Sequence, residues 1–373
     1  MTGRERILTA LNHKEPDRIP LDIGGANACG IMLTAYKRLA DFAALPVHPR
    51  VREFAEQLAW IDEEMCAFLG VDTRRLALPS EDFWRKVTDE GEYYSYTDEW
   101  HRMLRMPKEK GYYFDFVGFP LRNKPLEEYP WPQPVRPEKL KALKTLAERY
   151  TAETGAALCM PTIGNGFLQL GAQLYGYDEW FAMLLLEPAK VEAFLDKLLE
   201  LKTTYWQGVF DYLGDFVDVA CESDDLGTQK GPWIDPDLWR RLIKPRLASL
   251  VSNIKRMQPG IKIFLHSCGS VYKFIPDFIE IGIDILNPIQ VSAEGMDTKL
   301  LKREFGQDIV FWGGGVDTQL VLPRGTPQEV KDEVKRRIDD LAPGGGFVFA
   351  TVHNIQADVP PENIIAMVET LRE

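Results

Sequence analysis

The chain has 373 residues, is 45% hydrophobic and 27% charged, and carries a formal net charge of −12. Those proportions fit an ordinary soluble enzyme, long enough to bury a large core without disulfides. The acidic balance, with no Lys/Arg block, speaks against nucleic acid or an anionic membrane as the main partner, though not against a local basic pocket.

The first segment, MTGRERILTALNHKEPDRIP, lacks the apolar core of a secretory signal. No run anywhere approaches the roughly 18 apolar residues of a membrane span. Cys29, Cys66, Cys159, Cys221 and Cys268 are scattered and odd in number, so a cytoplasmic location is expected. Residues 1–70 read as a helical extension with one interruption. Arg4–Asn12 is a short helix, RIPLDIGGANACG a short strand into a glycine turn, and Leu33–Leu45 and Val51–Leu69 are helical by period. VDTRRLALP reads as a strand. From Lys86 to Leu121, alternating residues with Asp-Glu-Gly and Glu-Lys-Gly turns predict a small antiparallel excursion. A connection holding six of the 25 prolines follows, and Pro137 starts the next helix.

From residue 138 the chain alternates helix and strand. Helices are expected over 138–153, 167–184, 188–213, 235–258, 271–281, 297–305, 326–341 and 360–372. The strands between them are AALCMPTI, FVDVACE, IKIFLH, DILNPI, DIVFWGG and GFVFATV. Such alternation implies parallel strands with right-handed crossovers. Six strands here, plus candidates near residues 20 and 74, make the count of a (β/α)₈ TIM barrel, with a doubly wound open sheet as the competing layout. The whole chain reads as one such domain, carrying its extension and excursion. In either layout function collects where parallel strands end.

At the strand end LHSCGS, parity puts Phe264, His266 and Cys268 on one face and Ile261, Ile263 and Leu265 on the other. In a barrel the first set faces the axis. An imidazole and a thiolate are common zinc ligands; the alternative is a buried thiol beside a hydrogen-bonded histidine. In FVDVACESDDLG, Val217, Val219 and Cys221 share one face and Asp218, Ala220, Glu222 and Asp224 the other. Glu222 and Asp224 are thus expected on the same side as His266, whereas Asp225 reads as a solvated or helix-directing residue. His353 follows the last strand beside Asn354 and Gln356, where barrel closure would bring it to His266 and Cys268. A His/Cys/His set with a carboxylate or water in fourth place fits catalytic zinc, which needs an open position. DEWH offers Trp100 and His101 on a loop that could lie over the barrel mouth, or that simply stitches an exposed hairpin.

RERILTALNHKEPDRIPLD, DDLGTQKGPWIDPDLWRRLIKPRL, FLHSCGSVYKFIPDFIEIGIDILNPIQ and VPPENIIAM resemble the uroporphyrinogen decarboxylase superfamily over nearly the whole chain. The resemblance implies a TIM barrel and either of two chemistries. One is cofactor-free decarboxylation of uroporphyrinogen. The other is zinc-dependent methyl transfer with corrinoid proteins or coenzyme M, whose enzymes carry H-x-C and a later Cys. His266 and Cys268 match the H-x-C; His353 stands at the position matched to the later Cys. An arginine-rich R-Q-A-G-R-Y-like segment of the decarboxylases is replaced by LDIGGANACG. Their catalytic aspartate segment is not recognisable in LALPSEDFWRKV, where Asp82 is nearest.

The leading expectation is therefore a zinc methyltransferase of a corrinoid-linked system. His266, Cys268 and His353 hold the metal, Glu222 is a fourth or exchangeable ligand, and Asp224 handles the proton. Trp100, His101, Asn354 and Gln356 contact a small methylated substrate or thiol. A corrinoid protein is the implied partner and the chain is a monomer or homodimer. The alternatives are a decarboxylase using Asp82, Glu222 or Asp224, and a non-catalytic ligand- or corrinoid-binding barrel.

Overall fold

A computed structural model describes residues 1–79 and 83–373. Asp82 lies outside the described residues. Helix α1 (Gly3–Leu11) begins in a capping box between Thr2 and Glu5, and α2 (Leu33–Phe42) follows. A hairpin of β1 (Val51–Glu53) and β2 (Leu58–Ala59) precedes α3 (Glu63–Leu69) and β3 (Thr73–Arg75). Strands β4 (Thr88–Asp89), β5 (Tyr93–Thr97), β6 (Met103–Pro107) and β7 (Asp115–Gly118) form an antiparallel sheet, the expected excursion. The proline connection ends in α4 (Pro137–Glu153).

The main sheet adds β8 (Ala157–Pro161), β9 (Val219–Ser223), β10 (Lys262–His266), β11 (Ile285–Asn287), β12 (Val310–Trp312) and β13 (Phe347–Val348). Its order is β13-β12-β11-β10-β9-β8-β3, all parallel. The edges do not stay open. Leu21 bridges Phe349 in parallel; Phe349 N donates to Pro20 O (2.9 Å) and Asp22 N to Phe349 O (2.9 Å). On the other side Asp72 N donates to Leu21 O (2.8 Å). The strand expected near residue 20 is thus a single bridging residue, and that short stave closes the curled sheet into a TIM barrel.

Strand alternation sorts side chains into two cores. Ala157, Cys159, Val219, Cys221, Phe264, Ile285, Val310, Trp312 and Val348 fill the barrel, with Ile7, Ala10 and Leu11 of α1 in the same cluster. Leu158, Ala220, Ile263, Leu265, Leu286 and Phe311 pack outward against the helices. The expected helix 167–184 is two helices, α5 (Phe167–Tyr175) and α6 (Tyr177–Leu186). They break at Gly176, whose φ of 93° lies outside helical range. Helix α7 (Pro188–Leu213) then runs as expected.

Val51–Leu69 is not one helix. The Glu53 carboxylate accepts from Ala55 N (2.9 Å) and Glu56 N (2.8 Å), turning the chain, and Trp60 N pairs with Arg50 O (2.8 Å). Local side chain-to-backbone bonds of this kind compete with helix where periodicity alone is ambiguous. Among the described residues no helix is long and apolar enough to cross a membrane.

Candidate metal centre and cleft

β10 delivers His266 to the barrel mouth, only 7% exposed. Its Nδ1 lies 2.6 Å from Asn287 Oδ1, at the end of neighbouring β11. The Asn287 amide nitrogen donates to Trp312 O (2.8 Å) on β12 and faces Cys29 Sγ (3.6 Å), which leaves Oδ1 as the acceptor. His266 Nδ1 therefore carries the proton, and Nε2 presents a lone pair. That Nε2 lies 3.3 Å from Cys268 Sγ and 3.6 Å from Asp225 Oδ1. The His353 ring, arriving after β13, stands 5.8 Å from the His266 ring, inclined at 60°. Ligand atoms of His266, Cys268 and His353 all lie within 4.8 Å of one another.

Cys268 is held by its backbone. Its N–H donates to Asp225 Oδ1 (2.9 Å) and its carbonyl accepts from Gly227 N (3.1 Å). Gly269 then turns with φ +86°, and a Cβ there would come within 2.3 Å of the Gly227 carbonyl carbon. Only glycine lets the chain double back beneath the thiol. Burial, followed by the charge of Asp225, pushes the Cys268 thiol well above its ordinary range. Burial, with a smaller contribution from His266, pushes His353 down to about 4. Both groups are thus neutral at pH 7: the imidazole is ready to coordinate, while the thiol needs a cation to displace its proton. The 3.3 Å between His266 Nε2 and Cys268 Sγ matches the edge of a zinc tetrahedron, roughly 3.3–3.7 Å, and ligand atoms that start within 4.8 Å need only a small closing movement to complete one.

Glu222 and Asp224 are not beside this group. Parallel register pairs Phe264 with Cys221 and His266 with Ser223, so Ser223 shares the face of His266, and Glu222 pairs with outward-facing Leu265. The Glu222 carboxylate instead points at α7. It accepts from Lys202 Nζ (2.7 Å), Trp206 Nε1 (2.7 Å) and Thr162 Oγ1 (2.8 Å), with Lys202 and Glu222 both buried. Asp224 lies past the strand end and accepts from Leu168 N (2.9 Å) and Gln169 N (2.9 Å), capping α5. Burial raises its carboxyl to about 7, against the lowering effect of those two amides. The carboxylate beside the cluster is Asp225, which the sequence reading set aside; it also accepts from Gln169 Nε2 (3.0 Å).

His266, His353 and Asp225 line a cleft of about 870 Å³, walled by the hairpin, the antiparallel sheet and the β8 end. Trp100 lines it too, buried, with its carbonyl accepting from Tyr129 OH (2.6 Å). His101 is exposed, with its ring edge-on to Tyr129. Asn354 and Gln356 brace the rim. Asn354 Oδ1 accepts from Gly30 N (2.7 Å), its Nδ2 donates to Glu56 Oε2 (2.5 Å), and Gln356 Oε1 accepts from Tyr113 OH. Glu56 faces the cleft with its carboxyl raised to about 7 by burial and by Glu53. Sequence reasoning missed Asn287, Asp225 and Glu56. The polar residues ending ILN and ESDD were the available signal for the first two.

The family described as uroporphyrinogen decarboxylase (URO-D) matches residues 115–373. The uroporphyrinogen decarboxylase of Geobacter sulfurreducens is 22% identical over 279 residues, covering 69% of this chain and 74% of that protein. That of Psychromonas ingrahamii is 25% identical over 197 residues, 51% of this chain and 50% of the relative. A solved methyltransferase from Methanosarcina mazei superposes with a TM-score of 0.70 at 17% identity, over 100% of this chain and 98% of its own. That likeness establishes the barrel, and the family match reaches from the excursion to the last helix. The chain belongs to the uroporphyrinogen decarboxylase family.

Proposed function

We propose that this chain is a cytoplasmic zinc-dependent methyltransferase, acting on a small O-, N- or S-methyl compound or a thiol, with a corrinoid protein as methyl-carrying partner. The observation that carries the reading is the convergence of His266, Cys268 and His353 within 4.8 Å, with His266 and His353 lining the cleft that Asp225 also lines. The structural likeness to a methyltransferase agrees with it. Held there, zinc supplies Lewis acidity, polarising the atom that carries or accepts the methyl group. The chain's own residues do the rest. Asn287 fixes the His266 tautomer, and Asp225 anchors the Cys268 amide and is the carboxylate placed to take or give a proton. Trp100 forms a dry wall.

Glu222 and Asp224 support this site from outside the cleft. Protein purified without chelator should contain about one zinc per chain, falling below a tenth in His266→Ala and Cys268→Ala. Equal, substoichiometric metal in wild type and both variants, unchanged after zinc is added back, would sink the proposal. The names of the curated relatives favour decarboxylation as a second reading; anaerobic incubation with uroporphyrinogen separates the two, since a methyltransferase gives no coproporphyrinogen.

A further inference from the structure

Two guanidinium groups face the cleft and form no ion pair among the described residues, although the charges of Glu53, Glu56 and Asp22 reach Arg52. Arg52, on β1, and Arg75, ending β3, both line it. Arg52 Nε is shielded from solvent and has no hydrogen-bond partner among the described residues. Arg75 makes one long bond, 3.4 Å from Nη1 to Gly25 O. Burial and the neighbouring Arg75 push Arg52 down to about 9.

Most of the carboxylates around them have other partners; Asp115 lines the cleft as well. Glu53 turns back on the Ala55 and Glu56 amides, and Glu56 is bound by Asn354. Asp98 pairs with Arg102 (2.6 Å) and Glu99 with Arg136 (2.9 Å). Asp225 holds Cys268 N and Gln169. Two like charges side by side in a partly desolvated wall are costly unless an anion enters between them. The planar fork of arginine suits a carboxylate in particular. The same wall carries five aromatic side chains, Tyr96, Trp100, Phe114, Phe116 and Tyr177, among polar ones. That surface suits a flat ring.

We propose that Arg52 and Arg75 form the anion-binding end of the cleft and that its substrate is a small aromatic carboxylate. The ring lies along the aromatic wall, and its far substituent faces His266 and His353. The guanidinium pair matches one carboxylate, and even with Lys86, which also lines the cleft, the cations are too few for the many carboxylates of a porphyrinogen. The proposal rests on the methyltransferase reading for the chemistry at the far end, but the binding it describes is testable without turnover.

The test is calorimetric titration of the purified full chain with 4-methoxybenzoate and, as the uncharged isostere, 4-methoxybenzamide, with zinc assayed in the same samples. The acid should bind at least tenfold tighter than the amide. Arg52→Gln and Arg75→Gln should each weaken the acid tenfold or more, leave the amide and the near-ultraviolet circular dichroism unchanged, and keep zinc at the wild-type level. Arg52→Lys should recover part of the loss. Equal binding of acid and amide, no binding of the acid, or full-strength acid binding by both Gln variants would overturn the proposal. Arg-dependent acid binding by a chain that holds no zinc would remove the methyltransferase reading alone. Zinc binding without acid selectivity would remove this one alone.

Discussion

Glu222→Gln separates a catalytic carboxylate from a structural one. Glu222 and Lys202 are 2% and 0% exposed and 2.7 Å apart. The carboxylate has three donors: Lys202 on one oxygen, Trp206 and Thr162 on the other. A glutamine can keep its oxygen toward Trp206 and Thr162, but its amide then points a donor at the Lys202 ammonium. The variant loses the charge pair and leaves a buried cation against a like-ended dipole. Removing one partner of a buried pair costs roughly 3–5 kcal/mol. With a urea dependence of about 3 kcal/mol per molar, the unfolding midpoint should fall by roughly 1–1.7 M. Adding Lys202→Met removes the stranded cation and should recover most of the loss, leaving the double variant within about 2 kcal/mol of wild type. Zinc content should not move in either protein. A Glu222→Gln protein that unfolds within about 1 kcal/mol of wild type, or that keeps its stability but loses its zinc, would refute the structural assignment.

Three other changes probe the frame. Asn287→Leu should keep the fold but release His266 Nδ1, lowering zinc affinity by about 10–100-fold in competition with a chelator; unchanged affinity would show that the tautomer is set elsewhere. Gly269→Ala places a Cβ 2.3 Å from Gly227 at φ +86°. It should cost at least about 1 kcal/mol and displace Cys268, read as lost zinc and a lower midpoint together. Asp224 titrates near 3.8 unfolded and about 7 folded. Between those values the folded chain keeps a proton that the unfolded chain has lost, so this group's contribution to stability falls as pH rises and is level above about 7. Wild type relative to Asp224→Asn should therefore be more stable at pH 5 than at pH 8, by about 3 kcal/mol; a pH-independent difference would contradict the assignment.

The barrel was legible because each β/α unit carries its own period, and the excursion because its alternation and glycine turns are local. The face of His266 was legible because Phe264 leads into it along one strand. Parity divides a strand into two sets but does not say which set faces the axis. In β9 the apolar set, Val219 and Cys221, fills the barrel. The set with Glu222 packs outward, where Lys202 waits on α7. That partner is twenty residues away and on a helix, so no spacing announces it. The hairpin at 51–59 was hidden for a different reason: the turn is made by the Glu53 side chain on its own backbone. Asp225 looked like a loop acid because its partners, Cys268 N and Gln169, come from two other β/α units.

The site's geometry depends on four consecutive staves. β10 supplies His266, β11 the Asn287 that orients it, β12 the Trp312 carbonyl that orients Asn287, and the chain after β13 supplies His353. Because β10 and β13 are not neighbours, a cation held by His266 and His353 would tie strand ends across the mouth that share no hydrogen bond. One thiolate and two neutral imidazoles leave such a dication with a net charge of about +1, where two thiolates leave it neutral. With zinc bound, a histidine at position 353 would trade thiolate softness for Lewis acidity. On the proposed function, that change would favour activating the oxygen or nitrogen of a methylated compound over binding a soft sulfur, and would make any hold on metal more dependent on the orientation of the histidines. Asn287 is therefore the side chain that orients a proposed ligand without belonging to the donor set, and its loss should be felt in zinc affinity while the fold is kept.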